Sequence, residues 1–165
     1  AKRNAETYGV TEHIDFFLSD GVQSLPRDFD TLVCAGMGGD TMVSILSAAP
    51  WLQGGGYRLI LQCQSKTPTL RRYLSETGWA ICEETVLRDG RFLYTVMEVL
   101  WQPEVPRLTV GQRYFPPALR KHPTPETAAY YHWVADGLRL AVRHRPDDEN
   151  RQALKELEAL EEAMK

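Results

Sequence analysis

The sequence has no apolar run that approaches the roughly 20 residues a helix needs to cross a bilayer. It also lacks the charged segment followed by an apolar core that marks an export leader. There is no C-x-x-C pair: the three cysteines, Cys34, Cys63 and Cys82, lie far apart. An odd number of thiols inside apolar segments argues against a disulfide framework and reads as buried, reduced cysteines of a cytosolic protein. The four histidines have no ligand spacing, so no metal centre is expected. Excess positive charge is missing too. The net charge of −3 gives the whole molecule no bulk attraction for nucleic acid.

What is present describes a folded protein. The chain has 165 residues, 43% hydrophobic and 25% charged, enough for one ordinary domain and a small appendage. Charge is unevenly placed. Residues 113–145 carry six basic residues (Arg113, Arg120, Lys121, Arg139, Arg143, Arg145) against Glu126 and Asp136, whereas residues 147–165 carry seven acidic residues against Arg151, Lys155 and Lys165. A basic segment beside an acidic one can face RNA on one side; two solvated helix surfaces explain the pattern equally well.

Up to about Trp101, short apolar strands alternate with helical stretches. Ala1–Tyr8 reads as a helix closed by Gly9, already like the middle of one, which points to residues ahead of it in the natural protein. Ile14–Leu18 reads as a short strand and Thr31–Ala35 as a buried one. A helix capped by Asp40 or Thr41 runs to Ala48 with Met42, Ile45 and Leu46 on one face, Pro50 ends it, and Gly54-Gly55-Gly56 makes a turn. Leu59–Gln62 is a strand, and Leu70, Tyr73 and Leu74 mark a helix that starts at Thr67 or Thr69 and closes at Gly78. Ile81–Leu87 and Phe92–Trp101 flank Asp89-Gly90, a hairpin signal. The pattern predicts an α/β sheet with helices on both faces. Five prolines punctuate residues 103–124, with Pro125 just beyond, a linker between a core over 1–102 and a region over 125–165. There the helices Glu126–Arg145 and Asp148–Met164, the latter capped by Asp147 or Asp148, form an antiparallel helical hairpin. Leu154, Leu157 and Leu160 face Tyr131, Val134, Leu138 and Val142.

The chemistry concentrates in Ala35-Gly36-Met37-Gly38-Gly39-Asp40. Glycines after a buried strand let backbone approach a ligand closely, at the sheet edge where α/β proteins bind ligands. The spacing is not G-x-G-x-x-G, and no Lys-Ser/Thr follows, so neither a dinucleotide fingerprint nor a P-loop fits. A plain strand-to-helix turn is the competing reading. Asp20, before Gly21, is placed to bond an adenine amine or simply to make an Asp-Gly turn.

The chain resembles, from end to end, the bacterial tRNA (adenine-22-N1)-methyltransferase family. The matches are Asn4-x-x-x-Tyr8-Gly9, Ser19-Asp20-Gly21, Ala35-Gly-Met-Gly-Gly39 with Met42-x-x-Ile45-Leu46, Leu59-Ile-Leu-Gln62, Leu70-Arg71, Gly78-Trp79 and Gly90-Arg-x-x-Tyr94. The resemblance implies a Rossmann-like methyltransferase sheet with a C-terminal coiled-coil hairpin, S-adenosylmethionine as donor and an adenosine N1 in tRNA as acceptor. It implies cofactor contacts from Asp20, Gly21, Ala35, Gly36 and Met37, and an acceptor site from Gly36, Met37, Gly38, Gly39 and Asp40. The family's first two strands, with an Asp-x-Gly-Thr-Asp-His loop, have no counterpart from Ala1 onward, so the expected sheet lacks them. RNA would then be held through phosphates by Arg71, Arg72, Arg113, Arg120, Lys121, Arg139 and Arg143. A non-catalytic RNA-binding or assembly module is the alternative.

Overall fold

The computed structural model describes residues 1–54 and 56–163. Gly55 of the expected glycine turn, Met164 of the last helix and Lys165 lie outside the described residues. Four strands, β1 (Thr31–Gly38), β2 (Arg58–Ser65), β3 (Trp79–Asp89) and β4 (Phe92–Trp101), form one mixed sheet in the order β1-β2-β4-β3. β1 and β2 run parallel, with Leu32 opposite Leu59 and Cys34 opposite Leu61. β4 is antiparallel to both neighbours, and Asp89-Gly90 turns the hairpin as its sequence predicts, with Gly90 at φ +55.

Before the sheet stands a short helix, α1 (Lys2–Thr7), followed by Gly9 at φ +65. The strand expected at Ile14–Leu18 does not form. A strand needs a neighbour for its N–H and C=O groups, and β1 pairs with β2 alone among the described residues. The segment is irregular, and its Phe17 and Leu18 are exposed. The chain then turns inward: Val22 is buried, and Phe29 meets Trp51 and Tyr57 at ring separations of 6.0 and 5.1 Å.

Two crossovers link the parallel part of the sheet. α2 (Gly39–Ser47) connects β1 to β2, and α3 (Thr67–Glu76) connects β2 to β3. α2 starts earlier than expected: Gly38 is its cap residue, and neither Asp40 nor Thr41 holds that place. Pro50 opens a short 3₁₀ turn that buries Leu52. Met42, Leu46, Leu70 and Leu74 close over Leu59, Leu61, Met97 and Val99, all buried. Each buried leucine contributes roughly 1.5–3 kcal/mol relative to exposure. Strand alternation puts Val33, Ile60, Thr85, Leu87 and Val96 on the opposite face. Val33 is 65% and Leu87 52% exposed, so the described helices cover one face of the sheet, not both.

The proline-punctuated stretch carries structure of its own: α4 (Val110–Tyr114) and a 3₁₀ turn at Pro117–Arg120 that buries Ala118 and Leu119. α5 (Pro125–His144) and α6 (Asp148–Ala163) follow. Thr124 caps α5 by accepting the Thr127 N–H at 3.1 Å, and Asp147 accepts that of Asn150 at 2.7 Å. A second core gathers Tyr131, Val134, Leu138, Ala153 and Leu157 with Phe115, Leu119 and Val86 of β3. Leu154 and Leu160 border it, half-buried, while Val142 lies outside it.

Arg71 joins the two cores. Its side chain is fully buried and pairs with Glu84 of β3 at 2.5 Å. It also donates to the carbonyls of Arg113 and Tyr114 at 2.9 and 2.8 Å and to the Tyr130 hydroxyl at 3.3 Å. Burial opposes the charged guanidinium, but Glu84 and Tyr130 outweigh it and hold the Arg71 pKa above its ordinary value. Removing one partner strands a charge in the interior. Glu84→Ala should therefore cost about 3–5 kcal/mol in urea unfolding; a loss below about 1 kcal/mol, the range of an exposed pair, would show that Arg71 finds other compensation.

Glu156 of α6 ties down the start of α4. Its carboxylate accepts the Thr109 hydroxyl at 2.5 Å, the Gly111 N–H at 2.8 Å and the Gln152 amide at 2.8 Å. Burial pushes its pKa up, yet these hydrogen bonds, with Arg113 nearby, leave it below the ordinary value. A carboxyl depressed on folding adds stability above its unfolded pKa of about 4.3 and loses it as pH falls through the folded value. Glu156→Gln should flatten the loss of stability below about pH 4.3, read as thermal midpoint against pH; an unchanged acid limb would rule Glu156 out.

Candidate functional site

β1 ends in the glycine segment, at the carboxyl edge of the parallel strands. The register slips between Ala35 and Met37 and again between Met37 and Gly38, so the backbone leaves the ladder there. Gly36 has φ +78, and a Cβ placed on it would meet nothing within 4 Å. Its N–H donates to Gln62 Oε1 at 2.9 Å, which fixes the turn from the neighbouring strand. Ala35 and Gly36 are exposed, Met37 and Gly38 half-buried, and Asp40 exposed.

The other two glycines do different work. A Cβ on Gly38 would stand 3.0 Å from Ser65 Oγ, and one on Gly39 would overlap the Lys66 carbonyl oxygen. Gly39 is thus needed where the start of α2 rests on the turn between β2 and α3. Lys66 is the one non-glycine residue with positive φ among the described residues, at φ +55, and it precedes α3 as its cap residue. Its ammonium pairs with the Asp40 carboxylate through Oδ2. A left-handed lysine carries strain of order 1–3 kcal/mol, and such residues cluster where a local geometry is worth holding.

Asp20 and Gly21 lie in a turn, with Gly21 at φ +55 against Ile45 of α2. The Asp20 carbonyl accepts the Gln23 N–H at 3.3 Å. The pair flanks α2 and does not close a strand, the position expected for it.

The basic residues divide into three groups. Arg71 is corrected outright: sealed in the core, it cannot reach a phosphate. Arg113 is largely covered and pairs with Glu76 and Glu149; Lys121 pairs with Glu83, and Arg139 with Asp136 and Glu158. Arg72, Arg120 and Arg143 are exposed. The cysteines are free; Cys34 and Cys63 are buried, Cys82 partly so, and burial pushes the Cys34 thiol up, away from reactivity. The sequence places Gln62 only as the end of a strand, and it gives no role to Lys66. A glutamine in an otherwise apolar strand was the available signal for the first; nothing local marks the second.

Overlap with backbone and a left-handed φ predict penalties of different origin. Gly39→Ala should lose about 1–3 kcal/mol, because α2 must shift from the Lys66 carbonyl. Gly36→Ala has open space and should lose about 1–2 kcal/mol from φ alone. In urea unfolding of both variants, a Gly39→Ala protein as stable as wild type would dismiss the close contact.

Known proteins resemble this chain in sequence and in fold. A Bacillus subtilis tRNA (adenine(22)-N(1))-methyltransferase is 32% identical over 98 residues, covering 59% of this chain and 41% of that protein. A putative tRNA methyltransferase of Mycoplasma genitalium is 31% identical over 99 residues, 58% of this chain and 44% of the relative. The matched stretch thus spans less than half the length of these relatives. Among solved structures, a putative Streptococcus pneumoniae tRNA (m1A22) methyltransferase in complex with S-adenosyl-L-methionine superposes with a TM-score of 0.77 at 27% identity, over 94% of this chain and 73% of that one. A Listeria monocytogenes protein of unstated function gives 0.75 at 27% identity, over 99% and 76%. The model of one family matches residues 1–165, and the chain belongs to that family, TrmK, the tRNA (adenine(22)-N(1))-methyltransferases.

Proposed function

We propose that the protein carrying this chain transfers a methyl group from S-adenosylmethionine to N1 of an adenosine in tRNA, position 22 by the family's description. The observation that carries the reading is the exposed Ala35–Gly36 backbone at the carboxyl edge of β1, with Gly36 left-handed and open space beside it, in a chain that matches the family over residues 1–165. A flat purine and a donor need that kind of approach. The fit is partial: Ala35, Gly36 and Asp40 are exposed to such a ligand, whereas Gly39 is buried against Lys66 and Gly21 packs against Ile45 of α2.

When bound, S-adenosylmethionine would supply an electrophilic methyl carbon, its sulfonium sulfur keeping the electron pair of the broken S–C bond and leaving as a neutral thioether. Adenine N1 already carries the lone pair that forms the new bond, so this chain has no proton to remove and needs no strong base. Its task is alignment and exclusion of water. Gly36 keeps a side chain out of the approach, and Gly38 lets β1 lie close to Ser65. Asp40, with Oδ2 held by Lys66, leaves Oδ1 to accept from the adenine amine and to ease the positive charge that methylation places on the ring. N1 lies on the pairing edge, so a paired acceptor must first leave its stack.

Arg72, Arg120 and Arg143 are exposed cations for phosphates, and α5 and α6 act as an RNA-holding arm of coiled-coil type. Free thiols support a reducing, cytosolic setting. The test is a methyl-transfer assay of the full-length protein on unmodified tRNA, with the product base mapped. We expect label at N1 of adenosine 22 and a tRNA affinity that falls steeply with salt. Binding of tRNA without transfer, or transfer to another atom, would overturn the reading.

A further inference from the structure

A cleft of about 530 Å³ opens between the turn that joins β2 to α3 and one side of α5. That volume suits a small planar ligand. Its wall includes Ser65 and Lys66, the residues on which Gly38 and Gly39 rest, so the cleft and the glycine segment share a partition. The far wall is a stripe of α5: Trp133, Gly137, Leu140 and Ala141, at helical spacings of four, seven and eight from Trp133. Trp133 is 65% and Leu140 56% exposed. Gly137 has nothing within 4 Å of its Cβ position, which leaves the middle of the stripe hollow. The Trp133 ring is held near that of Tyr130, with centroids 5.7 Å apart.

At the floor of the cleft lies Thr95 of β4. It is 2% exposed, and its hydroxyl has no hydrogen-bond partner among the described residues. A buried hydroxyl without a partner costs on the order of 1–3 kcal/mol, and a ligand that supplies the bond recovers it. An aromatic face at the mouth and a lone polar atom at the floor fit a flat heteroaromatic ring with hydrogen-bonding edges.

We infer that this cleft binds an unstacked nucleobase of the RNA, stacked on Trp133 and hydrogen-bonded to Thr95. The inference rests on the tRNA-methyltransferase reading above. None of residues 35–40 lines the cleft, and the Ser65–Lys66 backbone stands between it and the glycine segment. The bound base is therefore not the acceptor but another base of the same RNA, and its capture helps to hold the acceptor strand open. Stacking of this kind is tolerant of base identity.

The test uses the full-length protein, unmodified tRNA and the variants Trp133→Ala, Trp133→Phe and Thr95→Val. Trp133→Ala should raise Kd and KM for tRNA about tenfold, leaving kcat and S-adenosylmethionine affinity as in wild type, and Trp133→Phe should recover most of the loss. Thr95→Val should weaken tRNA several-fold without loss of thermal stability, a combination that a purely structural threonine does not give. If wild type methylates tRNA and both Trp133→Ala and Thr95→Val bind it as tightly, the cleft has no such ligand. A Trp133→Ala effect confined to oligomeric state, seen by light scattering, would assign the stripe to a protein contact and overturn the inference. A wild type that neither binds nor methylates tRNA takes down the functional reading and this inference together.

Discussion

The architecture turns on one buried guanidinium. Arg71 sits where the sheet core ends and the helical core begins, and its hydrogen bonds reach β3, the end of α4 and α5. Only a planar group with several donors can serve so many acceptors at once; lysine, with a single nitrogen, cannot. A charge in that position brings strong coupling. Neither core can separate from the other without exposing or abandoning it, so the sheet and the helical pair should open as one unit. The glycine segment at the sheet edge and the stripe of α5 are thereby held in a fixed relation, although most of the polypeptide lies between them.

Much of this was readable from residue patterns. The apolar runs placed all four strands that form, and Asp89-Gly90 placed the hairpin, because turn chemistry and alternation are local. The failure at Ile14–Leu18 is a failure of context: its apolar content suits a strand, but pairing depends on a neighbour that no local pattern reports. The same limit hid the fate of Arg71. Beside Arg72 on a helix of otherwise ordinary amphipathicity it looks like a surface cation, and only Glu84, sharing the inward parity of Val86, betrays that a charge is wanted inside.

The candidate site was legible in outline for a similar reason. Glycine announces itself whenever a backbone must do what other residues cannot, and the run from Gly36 to Gly39 did so. Sequence could not distinguish their separate reasons: open left-handed geometry at Gly36, tight packing at Gly39. Nor could it show that Asp40 is engaged by Lys66, a lysine in a backbone conformation that its type seldom adopts. The basic residues were the least legible of all, since exposure is decided by tertiary packing and formal charge carries no sign of it.

The contact between Gly39 and the Lys66 carbonyl has a mechanical meaning. Two strand-to-helix corners, distant along the polypeptide, abut with no side chain to act as a spacer. A hydrogen atom is a stiff gasket: it transmits a displacement instead of absorbing it. A displacement of one corner should therefore be passed to the other, so that the first turns of both crossover helices shift as a pair.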